Sequence, residues 1–102
     1  VELANGAGKL VEINRSFKPS EITVHDEYIG NGPVPTKESI EAIKLVAQTE
    51  GIFLDPIYTG KAMAALIDQV RKGNIKPDDT VIFYHSGGLP AVFAYSKEIC
   101  PD

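Results

Sequence analysis

Apolar positions recur at helical spacing in two stretches of the chain. Met63, Leu66, Ile67 and Val70 fall three and four residues apart, which predicts a helix from just after Thr59 to about Lys72. Arg71 and Lys72 suit its C-terminal end, and Gly73 stops it. Ile40, Ile43, Val46 and Ala47 form a second stripe, with Glu41, Lys44 and Gln48 on the wet side, over about 37–49. Thr36 is placed to cap that helix, Glu38 to complement its dipole, and Gly51 to end it. A weaker stripe at Leu3, Ala4, Ala7, Leu10 and Val11 reads as the tail of a helix within residues 1–13, despite Gly6 and Gly8. Elsewhere the pattern changes. Residues 21–25 alternate polar and apolar and predict a short strand. Ile52–Leu54 is a short apolar strand, and 80–85 is almost continuously apolar, as in a strand buried on both faces. Strand 52–54, helix 60–72 and strand 80–85 compose a right-handed βαβ unit over about 52–85, closed by a short helix at about 89–95 that starts near Pro90. The expected fold is α/β, a partial Rossmann-like three-layer unit with a mostly parallel sheet.

Length and charge narrow the partners. A chain of 102 residues makes one small domain or a piece of a larger one, and its opening on Val1 in mid-pattern predicts the latter. The hydrophobic fraction of 43% suits a folded chain. Net charge is −4 with lysines scattered among acids, so no nucleic-acid partner is expected. No apolar run approaches a membrane span, and no secretory signal is visible. The single cysteine, Cys100, reads as a reduced thiol of a cytoplasmic protein. His25 and His85 have no partners at ligand spacing, so no metal site is expected.

Two junctions carry the candidate chemistry. Ser86-Gly87-Gly88 follows a strand and precedes a helix; two glycines let backbone approach a ligand. An anion or cofactor site and a plain tight turn both explain them, and without a full G-x-G-x-x-G or P-loop pattern the turn carries slightly more weight. Tyr58 and Thr59 pose the same choice: a phenol and a helix cap, or a substrate-binding phenol in a cleft. Asp55 before Pro56 reads as a turn-former, Lys61 as a solvated lysine, and His85 as a core histidine.

Together the junctions resemble a known family. EGIFLDPIYTGKAMAALID (Glu50–Asp68), TVIFYHSGGLPAVFAY (Thr80–Tyr95) and PTKESIEAIKLVAQTEG (Pro35–Gly51) look like the C-terminal part of the D-cysteine desulfhydrase and aminocyclopropane-carboxylate deaminase family. These are pyridoxal-phosphate enzymes of the tryptophan-synthase β-like fold. The resemblance implies that Ser86 contacts the pyridine nitrogen, with Gly87 and Gly88 beside it and Thr59 next to the ring. It implies that Tyr58 lies by the substrate in a catalytic role. The family's deaminases carry Glu where Thr59 stands, and its desulfhydrases carry Thr. The implied reaction is therefore that of a carbon–sulfur lyase: β-elimination from D-cysteine giving sulfide, pyruvate and ammonia.

Two departures from the family pattern follow. Gly32-Pro33-Val34-Pro35 is a residue shorter than the family's G-Y-G-x-P loop and lacks its tyrosine. The Schiff-base lysine and the phosphate-binding loop belong to earlier family sequence and are not in this chain. The expectation is a C-terminal portion of a homodimeric lyase acting on a small amino acid, inactive by itself. The alternatives are an aminocyclopropane-carboxylate deaminase and a non-catalytic α/β remnant.

Overall fold

The computed structural model describes residues 1–101. Its elements are α1 (Glu2–Leu10), a single 3-10 turn (Pro19–Glu21), α2 (Lys37–Glu50), α3 (Thr59–Arg71), α4 (Ala91–Ala94) and α5 (Ser96–Ile99).

The two strongest stripes fold as the sequence predicts. Thr36 caps α2: its hydroxyl accepts from the Ser39 amide at 3.1 Å, and Ser39 Oγ accepts from the Thr36 amide at 3.0 Å. The reciprocal partner is thus Ser39, a residue beyond Glu38. Gly51 ends α2 in the left-handed region at φ 67° and returns its amide to Ala47. The core lies where α2 meets α3 and the C-terminal turn: Ala42, Ile43, Val46, Leu54, Ala64 and Ile99 are its buried apolar residues. Gly60 makes the close crossing between the helices. A Cβ there would stand 2.6 Å from the Asp55 carbonyl and 3.0 Å from Ile43 Cδ1.

The predicted strands are absent among the described residues. Residues 22–25, 52–54 and 80–85 have no regular secondary structure, and 19–21 turn as 3-10 helix instead. The parallel sheet and the βαβ unit over 52–85 are therefore not present. The cause is physical. A strand is held by a ladder of hydrogen bonds to a neighbour, and one bare strand has none. The stretches 52–54 and 80–85 are joined by a side-chain bond, His85 Nε2 donating to the Phe53 carbonyl at 2.9 Å, and not by a backbone ladder. Phe83 packs on the core, whereas Ile82 is 90% exposed. The N-terminal helix is shorter than residues 1–13, and the C-terminal helix divides at Tyr95.

The chain is drawn out, 53 Å along its longest axis with a radius of gyration of 15.9 Å. A compact domain of this length has a radius near ~13 Å.

Candidate functional site

The Asp55 carboxylate organises the first junction. Its side chain accepts from the amides of Ile57 and Tyr58, both at 2.8 Å, and from the amide and hydroxyl of Thr59, both at 2.7 Å. The amides are those that precede and open α3, where the chain turns out of Pro56. Asp55 is fully buried. Burial by itself would raise its pKa, but the hydrogen bonds from Thr59, Tyr58 and Ile57 prevail and hold the carboxyl below its ordinary value. The turn-forming role expected from Asp55-Pro56 is what the geometry shows.

The same carboxylate meets the second junction. Gly88 sits at φ 89°, and a Cβ on it would lie 2.6 Å from Asp55 Cγ. Only glycine accommodates both that conformation and that approach. The Ser86-Gly87-Gly88 turn is therefore seated against Asp55, more than thirty positions away in sequence. Gly87 is at φ 119°, with open space where a side chain would go.

A cleft of about 580 Å³ opens beside this contact. Tyr58, Thr59 and Ser86 line it together with the apolar Ile57, Ala62 and Ala65 and the loop residues Gly32 and Pro33. The three hydroxyls are not equivalent. Thr59 Oγ1 donates its one proton to Asp55 Oδ1 and accepts from the Asp55 amide at 2.9 Å. Only one lone pair remains to it. It does not cap α3; Tyr58 holds the cap position, and its side chain makes no capping bond. Tyr58 is 69% exposed, and neither its hydroxyl nor that of Ser86 bonds a described residue. The Tyr84 phenol, 83% exposed on the same cleft, is likewise without a partner among the described residues.

Two expectations are corrected. Lys61 is buried, 7% exposed, and lines the cleft. Its ammonium donates to the carbonyls of Ile29 at 2.7 Å and Gly32 at 2.5 Å. An ammonium near a helix start is ordinarily solvated, but here a loop from thirty residues upstream folds over it. His85 is exposed, because the strand meant to bury it has no neighbours.

Sequence reasoning missed Tyr28, which also lines the cleft. Its hydroxyl donates to Asp68 and accepts from Gln69 Nε2 at 2.8 Å, both on α3. The signal was present only as an aromatic beside a breaker-rich loop. Hydrogen bonds from Lys72 and then Tyr28 keep the Asp68 carboxyl below its usual range.

The cleft suits one half of a pyridoxal phosphate molecule. An aromatic ring needs apolar walls and one polar contact at its nitrogen, and Ile57, Ala62, Ala65 and the Ser86 hydroxyl supply those chemistries. The phosphate and the covalent attachment are not provided here. Lys61 is the one lysine lining the cleft, and its amine is engaged by two carbonyls. Among the described residues no group of three His, Cys, Asp or Glu stands ready for a metal ion, and no helix is long and apolar enough to cross a membrane.

Comparison with known proteins places the chain in a family. The chain superposes on a crystal structure of an "ACC deaminase homologue" with a TM-score of 0.73 and 33% sequence identity, over 96% of its own length. It spans 29% of that chain. The shared fold is the one the family resemblance implies, although no sheet forms among the residues described here. A family profile described as "Pyridoxal-phosphate dependent enzyme" matches residues 7–87. The chain therefore belongs to the pyridoxal-phosphate dependent enzymes.

Proposed function

We propose that this chain forms the ring-nitrogen and substrate side of the active site in a pyridoxal-phosphate dependent lyase. The observation that carries the proposal is that Tyr58 and Ser86, from two separate junctions, line one cleft with hydroxyls that bond no described residue; Tyr84 adds a third such hydroxyl. The bound cofactor would supply the electron sink that lets an amino acid lose its α-proton. The protein's share is positional. Ser86 would hold the pyridine nitrogen through a neutral hydroxyl. Tyr58 would hold or move a proton near the substrate from its phenolic oxygen. Gly88 would keep Ser86 in register by its contact with Asp55. Ile57, Ala62 and Ala65 would exclude water from one face of the ring.

The substrate reading is D-cysteine or a similar β-substituted amino acid, and Thr59 supports it. A carboxylate at that position would keep the ring nitrogen protonated and strengthen the sink, as opening a cyclopropane demands. A thiolate leaves readily without it. Thr59 spends its proton on Asp55 and presents no negative charge to the cleft. The second reading is a cyclopropane deaminase, favoured by the 33% identity with the "ACC deaminase homologue".

The test is a pair of assays on the full-length protein that carries this chain, loaded with pyridoxal phosphate. Pyruvate from D-cysteine is expected, at least about tenfold faster than 2-oxobutanoate from the cyclopropane amino acid; a tenfold preference corresponds to about 1.4 kcal/mol of differential transition-state binding. Turnover of the cyclopropane substrate alone would overturn the D-cysteine reading. Turnover of neither, with the cofactor bound, would favour a non-catalytic remnant.

A further inference from the structure

The loop Tyr28–Gly32 crosses α3 and forms one wall of the cleft. It is dense in breakers, with Gly30, Gly32, Pro33 and Pro35 within six residues, and apart from its ends it makes few backbone bonds of its own. Ile29 donates its amide to Asp26, and Val34 donates to Asn31. Most of what holds it in place comes from α3, with one further bond from the Tyr95 hydroxyl to the Pro33 carbonyl at 3.3 Å. At one end Tyr28 bonds Asp68 and Gln69. Across the rest, Lys61 reaches up from the first turn of α3 and ties the Ile29 and Gly32 carbonyls to one ammonium.

That ammonium is unusual. It is buried, and no carboxylate of a described residue lies within 4 Å of it. A buried cation without a counter-charge is retained only where hydrogen bonds replace its lost water. Here two main-chain carbonyls do so, and the charge-assisted bonds they form are stronger than neutral ones. The partners are carbonyls, so the clamp needs no particular side chain at Ile29, although Gly30 and Gly32, at φ 62° and 54°, shape the backbone that presents them. The single side chain it depends on is Lys61.

We infer that Lys61 is a positioning residue: through the Ile29 and Gly32 carbonyls it fixes the loop that lines the cleft together with Tyr58 and Ser86. Its ammonium is engaged by the two loop carbonyls, so its role is to place the wall rather than to take part in the chemistry. Its effect on turnover rests on the proposed lyase reading, whereas its effect on the loop does not. The shortened Gly32–Pro35 segment, which lacks the family's tyrosine, is tied through its backbone, by Lys61 at Gly32 and by the Tyr95 hydroxyl at Pro33.

The test uses hydrogen exchange on the full-length protein and its Lys61→Met and Lys61→Arg variants, read in peptides covering 28–34 and 37–50. Met keeps the stem and removes the ammonium; Arg restores charge and donors. The expected result is at least tenfold faster exchange over 28–34 in Lys61→Met, recovery of much of that protection in Lys61→Arg, and unaltered exchange over 37–50. With substrate, KM in Lys61→Met rises by more than kcat falls. Unchanged exchange over 28–34 in Lys61→Met would overturn the inference. So would equal loss of protection in both peptides, or an Arg variant no better than Met, because either makes Lys61 a general core support. If the full-length protein turns over neither substrate, the exchange results still decide the loop clamp, and only the lyase reading fails.

Discussion

Asp55 shows how one side chain sets the site before any ligand arrives. Four donors converge on its carboxylate, and its backbone also receives Gly60. Replacing it with Ala strands those amides and leaves a void, and should cost about 2–3 kcal/mol at pH 7. Its pKa is lowered in the folded protein, so the stabilisation it gives is present above the unfolded carboxylate value of about 3.9 and is lost as pH falls through the folded value. Denaturant unfolding of the full-length protein and of Asp55→Ala should show a gap at pH 7 that closes in acid below about pH 4. A gap independent of pH would contradict this account. The glycines at the same spot behave differently from each other. Gly60 lies in a helix, where Ala is ordinarily favoured by about 1 kcal/mol. Its virtual Cβ meets main-chain oxygen at 2.6 Å, and that oxygen has no freedom to move aside. The clash wins: Gly60→Ala should lower stability by about 1–2 kcal/mol, measured by the same unfolding curves.

At the scale of elements, α2 and α3 were legible because their signals are local. A stripe, a cap and a C-terminal glycine all lie within one run of residues; Thr36 and Gly51 bound α2 as expected, and the 63–70 stripe gave the α3 helix although its buried residues are Thr59, Gly60, Lys61 and Ala64 and Val70 is exposed. Thr36→Ala should cost about 1 kcal/mol, seen as a lower melting temperature. The strands were not legible in this way. Residues 80–85 carry the composition of a buried strand, yet composition states only what a strand needs, and the ladder must come from elsewhere in space. The site divides along the same line. Tyr58 and Ser86 were readable from motif resemblance, and the cleft brings them together. The burial of Lys61 and the part played by Tyr28 were not, because their partners lie 29 to 41 residues away. An ammonium in a first helical turn looks solvated until the distant loop is placed over it.

At the scale of the whole molecule, the drawn-out shape and the apolar surface belong together. Leu3, Leu10, Val24, Ile82, Tyr84 and Phe93 are each about four-fifths exposed or more, far beyond the scattered apolar side chains of an ordinary surface. The unpaired run 80–85 adds bare backbone to that surface. Produced as 102 residues, the chain should self-associate, and light scattering should show species larger than its 11.0 kDa mass. Incubated with pyridoxal phosphate and gel-filtered, it should keep no lysine–cofactor absorbance band. A monodisperse monomer that retains the band would contradict this reading.

The central claim is that the Ser86 junction, seated on Asp55 through Gly88, holds the cofactor's ring nitrogen. A crystal structure of the full-length protein with pyridoxal phosphate bound measures it directly. The account predicts Ser86 Oγ within hydrogen-bonding distance of the pyridine nitrogen, at or under about 3.2 Å. A pyridine nitrogen bonded to another side chain, with Ser86 out of reach, would contradict it.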